Sequence, residues 1–127
     1  FDEIQVAGVA FSPDGKLVAA SGFSGWTRVW DARTGRPLAK FAAFLNAAAG
    51  IAFTPDSRRL VVGSGGDGLC KVWDVETWRE LVALSSDGGW FEEVKISPDG
   101  NLLGARTDRS FLQCWRAPSW EEIAKAK

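Results

Sequence analysis

With 127 residues and 15 basic against 16 acidic side chains spread along its length, for a net charge of −1, the chain is long enough to bury a useful core. It carries no electrostatic footprint for nucleic acid or an anionic membrane. The lack of any histidine and the presence of only two cysteines remove the usual general base, the Ser-His-Asp triad and nearly every zinc ligand, and no apolar run approaches the roughly 20 residues of a membrane helix.

In chain order, the first predicted strand is Gln5–Phe11, an apolar-rich run that stops at the turn Ser12-Pro13-Asp14-Gly15. Proline has no N–H for a ladder and presets φ for a turn, so the strand ends there. Leu17–Ser21 forms a second strand, Gly22 to Gly25 a glycine-bounded connection, and Trp26–Trp30 a third strand. After polar Asp31–Arg36 comes a fourth strand, Pro37–Phe44, with its proline at the start, where it is tolerated. Four short strands with tight turns in about 40 residues read as an antiparallel meander. The order then repeats: Gly50–Phe53, a Thr54-Pro55-Asp56-Ser57 turn, Arg59–Val62, Leu69–Trp73 and Glu80–Leu84. It repeats again as Trp90–Ile96, a Ser97-Pro98-Asp99-Gly100 turn, Leu102–Arg106, Phe111–Trp115 and Trp120–Ala124. Propensity alone would allow a helix in that last piece; its alignment with the two earlier fourth strands favours a strand.

Two landmarks keep one period. Trp30, Trp73 and Trp115 are 43 and 42 residues apart, and Pro13, Pro55 and Pro98 are 42 and 43 apart. The chain is therefore one structural unit written three times, and each unit must bury its faces against a neighbour. The expected units span about residues 4–44, 49–84 and 90–125. Cys70 and Cys114 fall on matching strands of different units, so free thiols in a reducing, cytoplasmic setting are expected rather than a disulfide. The chain begins at Phe1, and a native amino terminus upstream is expected.

Phe-Ser-Pro-Asp-Gly-Lys-Leu-Val-Ala-Ala-Ser-Gly (11–22) followed by Thr-Arg-Val-Trp-Asp (27–31) resembles a WD40 repeat, as does Phe53–Gly68 leading to Lys-Val-Trp-Asp (71–74). The third copy is degenerate, with Arg116 after Trp115. The resemblance implies an all-β fold of β-propeller blades, three four-stranded antiparallel meanders, with the first strand of each nearest a central channel. It also implies a non-catalytic, scaffolding type of protein-interaction module that takes a protein or peptide partner, with no cofactor and no metal. This chain departs from the pattern: the Gly-His pair is absent, and the turn aspartate six residues before the strand tryptophan survives only as Asp67, with Ser24 and Arg109 in the matching places. Cohesion from packing is therefore expected.

Three blades do not close a ring. An open blade face would expose Val, Leu, Phe and Trp surface, and covering roughly 400 Å² of it is worth on the order of 10 kcal/mol at about 25 cal/mol per Å². Three completions are expected as alternatives: the chain is the carboxy-terminal part of a longer bacterial-type WD40 protein, or it is a regulatory segment of an effector whose enzyme lies elsewhere. In the third, identical chains assemble, two giving six blades and three giving nine.

The rim that usually binds in such a ring maps here onto Phe23, Trp26, Phe44, Asn46, Asp67, Trp90, Phe91, Arg106, Asp108 and Arg109. Aromatic residues and arginine are common interface anchors; the competing reading for Trp26, Phe44 and Phe91 is packing between blades. Trp78 and Trp120 form a candidate patch on the opposite rim, or else cover their own blade edges. Trp30, Trp73 and Trp115 read as core, and Asp14, Asp56 and Asp99 as turn formers. Glu92-Glu93 and Glu121-Glu122 suggest paired carboxylates, but neighbours on a strand point to opposite faces, so neither pair is expected to converge. Gly63–Gly68 is glycine-rich but lacks the lysine and helix of a phosphate loop.

Overall fold

The computed structural model describes residues 6–23, 25–43, 48–64, 69–85, 91–108 and 111–116. They form eleven strands in order: β1 (Val6–Phe11), β2 (Leu17–Gly22), β3 (Trp26–Asp31), β4 (Pro37–Ala42), β5 (Ala48–Phe53), β6 (Arg59–Ser64), β7 (Leu69–Asp74), β8 (Glu80–Ser85), β9 (Phe91–Ile96), β10 (Leu102–Thr107) and β11 (Leu112–Arg116). Three antiparallel sheets result, in the orders β1-β2-β3-β4, β5-β6-β7-β8 and β9-β10-β11. There is no helix among the described residues. The twelfth expected strand, Trp120–Ala124, lies outside them, as do the acidic pair Glu121-Glu122, Ser24 and the glycine-rich tip 65–68.

The period works through the turns. At each first turn the hydroxyl of Ser12, Thr54 or Ser97 donates to the second-next aspartate, Asp14, Asp56 or Asp99, at 2.6 Å. The same hydroxyl accepts the amide of Leu17, Arg59 or Leu102 at 2.9–3.0 Å, which closes the strand ends onto one another. The turn needs a left-handed residue, supplied by Gly15 and Gly100 (φ 77° and 79°) and, in the second sheet, by Ser57 at φ 62°. Ser57 holds that less favourable conformation while its hydroxyl accepts the Asp14 amide across the junction of the first two sheets, at 3.1 Å. The aspartate that follows each strand tryptophan plays a second turn role. Asp31 accepts the amides of Arg33 and Thr34, while Asp74 accepts from Thr77 and pairs with Arg59 at 3.1 Å.

Because these carboxylates are hydrogen-bonded while ionised, their pKa values fall below the ordinary range. The Ser12 hydroxyl is the main cause at Asp14, the Ser97 hydroxyl at Asp99 and the Thr34 amide at Asp31. At Asp56 burial pulls upward, but the Thr54 hydroxyl, the Arg58 amide and nearby arginines outweigh it. A carboxyl whose pKa is lower folded than unfolded stabilises the fold above the unfolded value, and that contribution is lost as pH falls through the folded value. The thermal midpoint is therefore expected to hold from neutrality to about pH 5 and to drop below about pH 4. Asp14→Asn, Asp56→Asn and Asp99→Asn together should flatten that slope in melts across the acid range; an unchanged slope contradicts the assignment.

Sheet packing follows the two-residue alternation of each strand. In the middle sheet Leu60, Val62, Leu69 and Trp73 face the first sheet and meet Ala19, Val29, Ala39 and Phe41. Val61, Cys70 and Val72 face the other way and meet Phe91, Val94, Leu103, Ala105 and Trp115 of the third sheet. This explains the unbroken apolar run Leu60-Val61-Val62: both faces of β6 are covered, and all three side chains are buried. Strands β4 and β8 at the outer edge alternate between exposed and half-buried. The innermost strands β1, β5 and β9 pack side by side and line an open groove of about 500 Å³.

Candidate interaction rim

The connections β2–β3 and β10–β11 emerge from the same end of their sheets, and two expected rim residues stand on them. Phe23 is 61% exposed, and Asp108 is half-buried just after β10. Phe44, Asn46, Asp67, Trp90 and Arg109 lie outside the described residues.

Three expected rim residues are placed differently. Phe91 is fully buried; its ring meets Trp115 edge-on at 5.6 Å, and it fills the space left by Gly63, where a Cβ would come within 3.0 Å of the Phe91 Cβ. It is core, and the packing alternative holds for it. Trp26 lies half-buried over Gly22, where any Cβ would collide with the indole, and the Arg28 guanidinium sits 5.3 Å from its ring centre. Register pairs Arg28 with Ala20, and Ala20 with Val9, so Trp26 and Arg28 belong to the face of the first sheet that looks away from the second. Arg106 is exposed, but on a sheet face: it bonds Glu92 at 2.7 Å and approaches Glu93 at 3.7 Å, while Lys95 approaches Glu93 at 3.5 Å.

That cluster also corrects the expectation that Glu92 and Glu93 diverge. The β9–β10 register shifts between Arg106 and Thr107, and this bulge re-aims one residue so that both carboxylates reach the same guanidinium.

On the opposite rim, Trp78 is half-buried and stacks 6.0 Å from Phe41 of the first sheet. It occupies the left-handed position (φ 57°) that Gly35 holds in the first repeat (φ 76°). Trp120, its expected companion, lies outside the described residues. Of the three repeat tryptophans, Trp30 and Trp73 are buried and Trp115 is half-buried.

The open apolar face expected from three unclosed units exists on the first sheet, where Val9 is 56% exposed, Phe11 67% and Leu38 46%. Ile51 and Phe53, the second-repeat matches of Val9 and Phe11, are buried against the first sheet. The difference lies in the neighbour, which covers the second pair and not the first. Of the two thiols, Cys114 is exposed and Cys70 buried; burial pushes Cys70 up to about 12. Among the described residues, no group of three or more His, Cys, Asp and Glu side chains is placed to hold a metal ion.

The profile of the WD40 family (WD domain, G-beta repeat) matches residues 2–31 and 35–74. An uncharacterized WD repeat-containing protein of Synechocystis sp. is 40% identical over 53 residues, which is 41% of this chain and 15% of that protein. The chain thus spans a small part of the length of that relative.

Proposed function

Because the chain belongs to the WD40 repeat family, whose profile covers more than half of it, we propose that it is a non-catalytic docking module for a protein or peptide. The family's repeats serve generally as protein-interaction modules; the finer reading concerns this chain. Each sheet with its flanking connections is one blade, at about residues 4–44, 49–84 and 90–125. The observation that carries the reading is Phe23, an aromatic side chain 61% exposed at the tip of a rim connection, where a partner could bury it. Trp90, Asp67 and Arg109 are further candidates for the same rim. Two free thiols, one of them exposed, favour a reducing, cytoplasmic setting.

The test is affinity capture with the full-length protein, wild type against Phe23→Ala. The substitution should leave the unfolding free energy within about 0.5 kcal/mol and weaken the captured partner's binding about tenfold or more. Equal affinity of the two proteins defeats the assignment. The great length of the Synechocystis relative compared with this chain favours a second reading, in which these blades regulate an activity elsewhere in a longer protein. Deleting residues 1–127 from the full-length protein should then change that activity, whereas the docking reading alone leaves it intact.

A further inference from the structure

Four residues before each strand tryptophan stand Trp26, Leu69 and Phe111, at the rim end of the third strand of their sheets. Trp26 is half-buried and Leu69 packs against the cluster that joins the first two sheets, whereas Phe111 is 68% exposed. A missing neighbour does not explain the difference. The β10–β11 pairing is regular, with Leu103 opposite Trp115 and Ala105 opposite Gln113, and Thr107 bonds to Phe111 at the end of the same ladder. Alternation therefore places Phe111 on the face of Leu103, Ala105 and Trp115, which packs against Val61, Cys70 and Val72 of the second sheet. That cover is present and reaches Thr107, which is 4% exposed. The Phe111 ring stands just beyond it, at the mouth of the junction between the second and third sheets.

The residue across the ladder sets the difference. Counted from the turn prolines, Trp26 corresponds to Phe111 and Gly22 to Thr107. In the first sheet the indole of Trp26 lies where a Cβ on Gly22 would be. Thr107 carries the side chain that Gly22 lacks, so the space that receives the ring in the first sheet is taken in the third. The same threonine fixes the backbone. Its hydroxyl accepts the Phe111 amide at 3.2 Å, and its amide donates to the Phe111 carbonyl at 2.9 Å. Phe111 is thus propped outward from a closed hairpin end. A large ring with two torsions on an ordered backbone loses little conformational freedom when a partner covers it.

We infer that Phe111 is a second docking anchor on the rim that carries Phe23, and that it takes an apolar side chain of a peptide segment laid across this junction. The inference rests on the docking reading and adds to it a residue and the chemistry of the partner. The exposed face of a phenyl ring gains most from apolar cover. A net charge of −1 supplies no excess of cations to hold a nucleic-acid backbone around a stacked base, which favours a peptide side chain as the occupant.

A displayed library of random short peptides is selected on the full-length protein. Affinities of the enriched peptides are then measured for the wild type, Phe111→Ala, Phe111→Trp and Phe23→Ala. Expected are peptides with an apolar residue at a fixed place, whose affinity falls about tenfold or more with Phe111→Ala and is kept with Phe111→Trp, at an unchanged melting temperature. Alanine at that place in the peptide should abolish the dependence on Phe111. Peptides that depend on Phe23 yet bind Phe111→Ala as tightly as the wild type overturn this inference and leave the docking reading standing. Peptides indifferent to both residues, or no enrichment, overturn both. Enriched peptides without an apolar anchor overturn the assigned partner chemistry. Folded Thr107→Gly should let the ring lie down as Trp26 does and lose affinity although Phe111 is kept; full affinity in that variant shows that Thr107 does not prop the ring.

Discussion

Trp73→Ala is expected to cost about 3–5 kcal/mol, a large share of the 5–15 kcal/mol that holds a domain of this kind. The indole is 4% exposed and belongs to the cluster joining the first two sheets, with Phe41 at 4.9 Å and a tilt of 41°. Truncation would open a cavity bordered by two sheets at once, and neither can close on it without shifting the strand register on its far side. Trp115→Ala at the matching place should cost less, because that indole is half-buried and its ring contact is with Phe91 of its own sheet. Chemical denaturation followed by circular dichroism ranks the two variants. Equal midpoints would show that the tryptophans are repeat markers without a junction role.

Gly50→Ala is expected to destabilise by about 1–3 kcal/mol although it adds one methyl group. The new Cβ would meet main-chain atoms of β9, 2.8 Å away at the Val94 nitrogen. Backbone held in a ladder cannot swing aside as a side-chain tip can. Relief requires the second and third sheets to part, which loosens the cluster of Val61, Val72, Phe91, Val94 and Leu103. Gly104→Ala is the control: its nearest neighbours would be the Leu112 Cδ1 at 3.8 Å and the Lys95 carbonyl at 4.0 Å, ordinary contact distances, so a change within about 0.5 kcal/mol is expected. Similar losses in both would attribute the Gly50 effect to strand propensity rather than to the close approach.

Much of the fold was legible because it rests on local chemistry that recurs. Each Ser/Thr-Pro-Asp sequence stops a strand for a stated reason, and the structure puts a turn at all three. The run at 60–62 reads as a strand, and the structure adds that both of its faces are covered. What escaped the sequence was the effect of one irregularity. The bulge opposite Arg106 and Thr107 puts Phe91 out of phase with the simple alternation, so a residue read as rim became core. The same bulge brings Glu92 beside Glu93 when alternation would separate them. Gly50 likewise looked like an ordinary strand glycine, because a close approach between strands 43 residues apart leaves no mark in either strand. Of the candidate rim residues, Phe23 is exposed, while Trp26 and Arg106 lie on sheet faces because side-chain direction in a strand follows register rather than nearness to a loop.

The covering of the middle sheet on both faces has a kinetic consequence. Among the described residues β6 and β7 are held from two sides, so this sheet is expected to open last, as in an array whose units are coupled to their nearest neighbours. A lesion on one face of the middle sheet loosens one junction, as Trp73 does toward the first sheet and Gly50 toward the third, and only paired lesions on both faces would release both couplings.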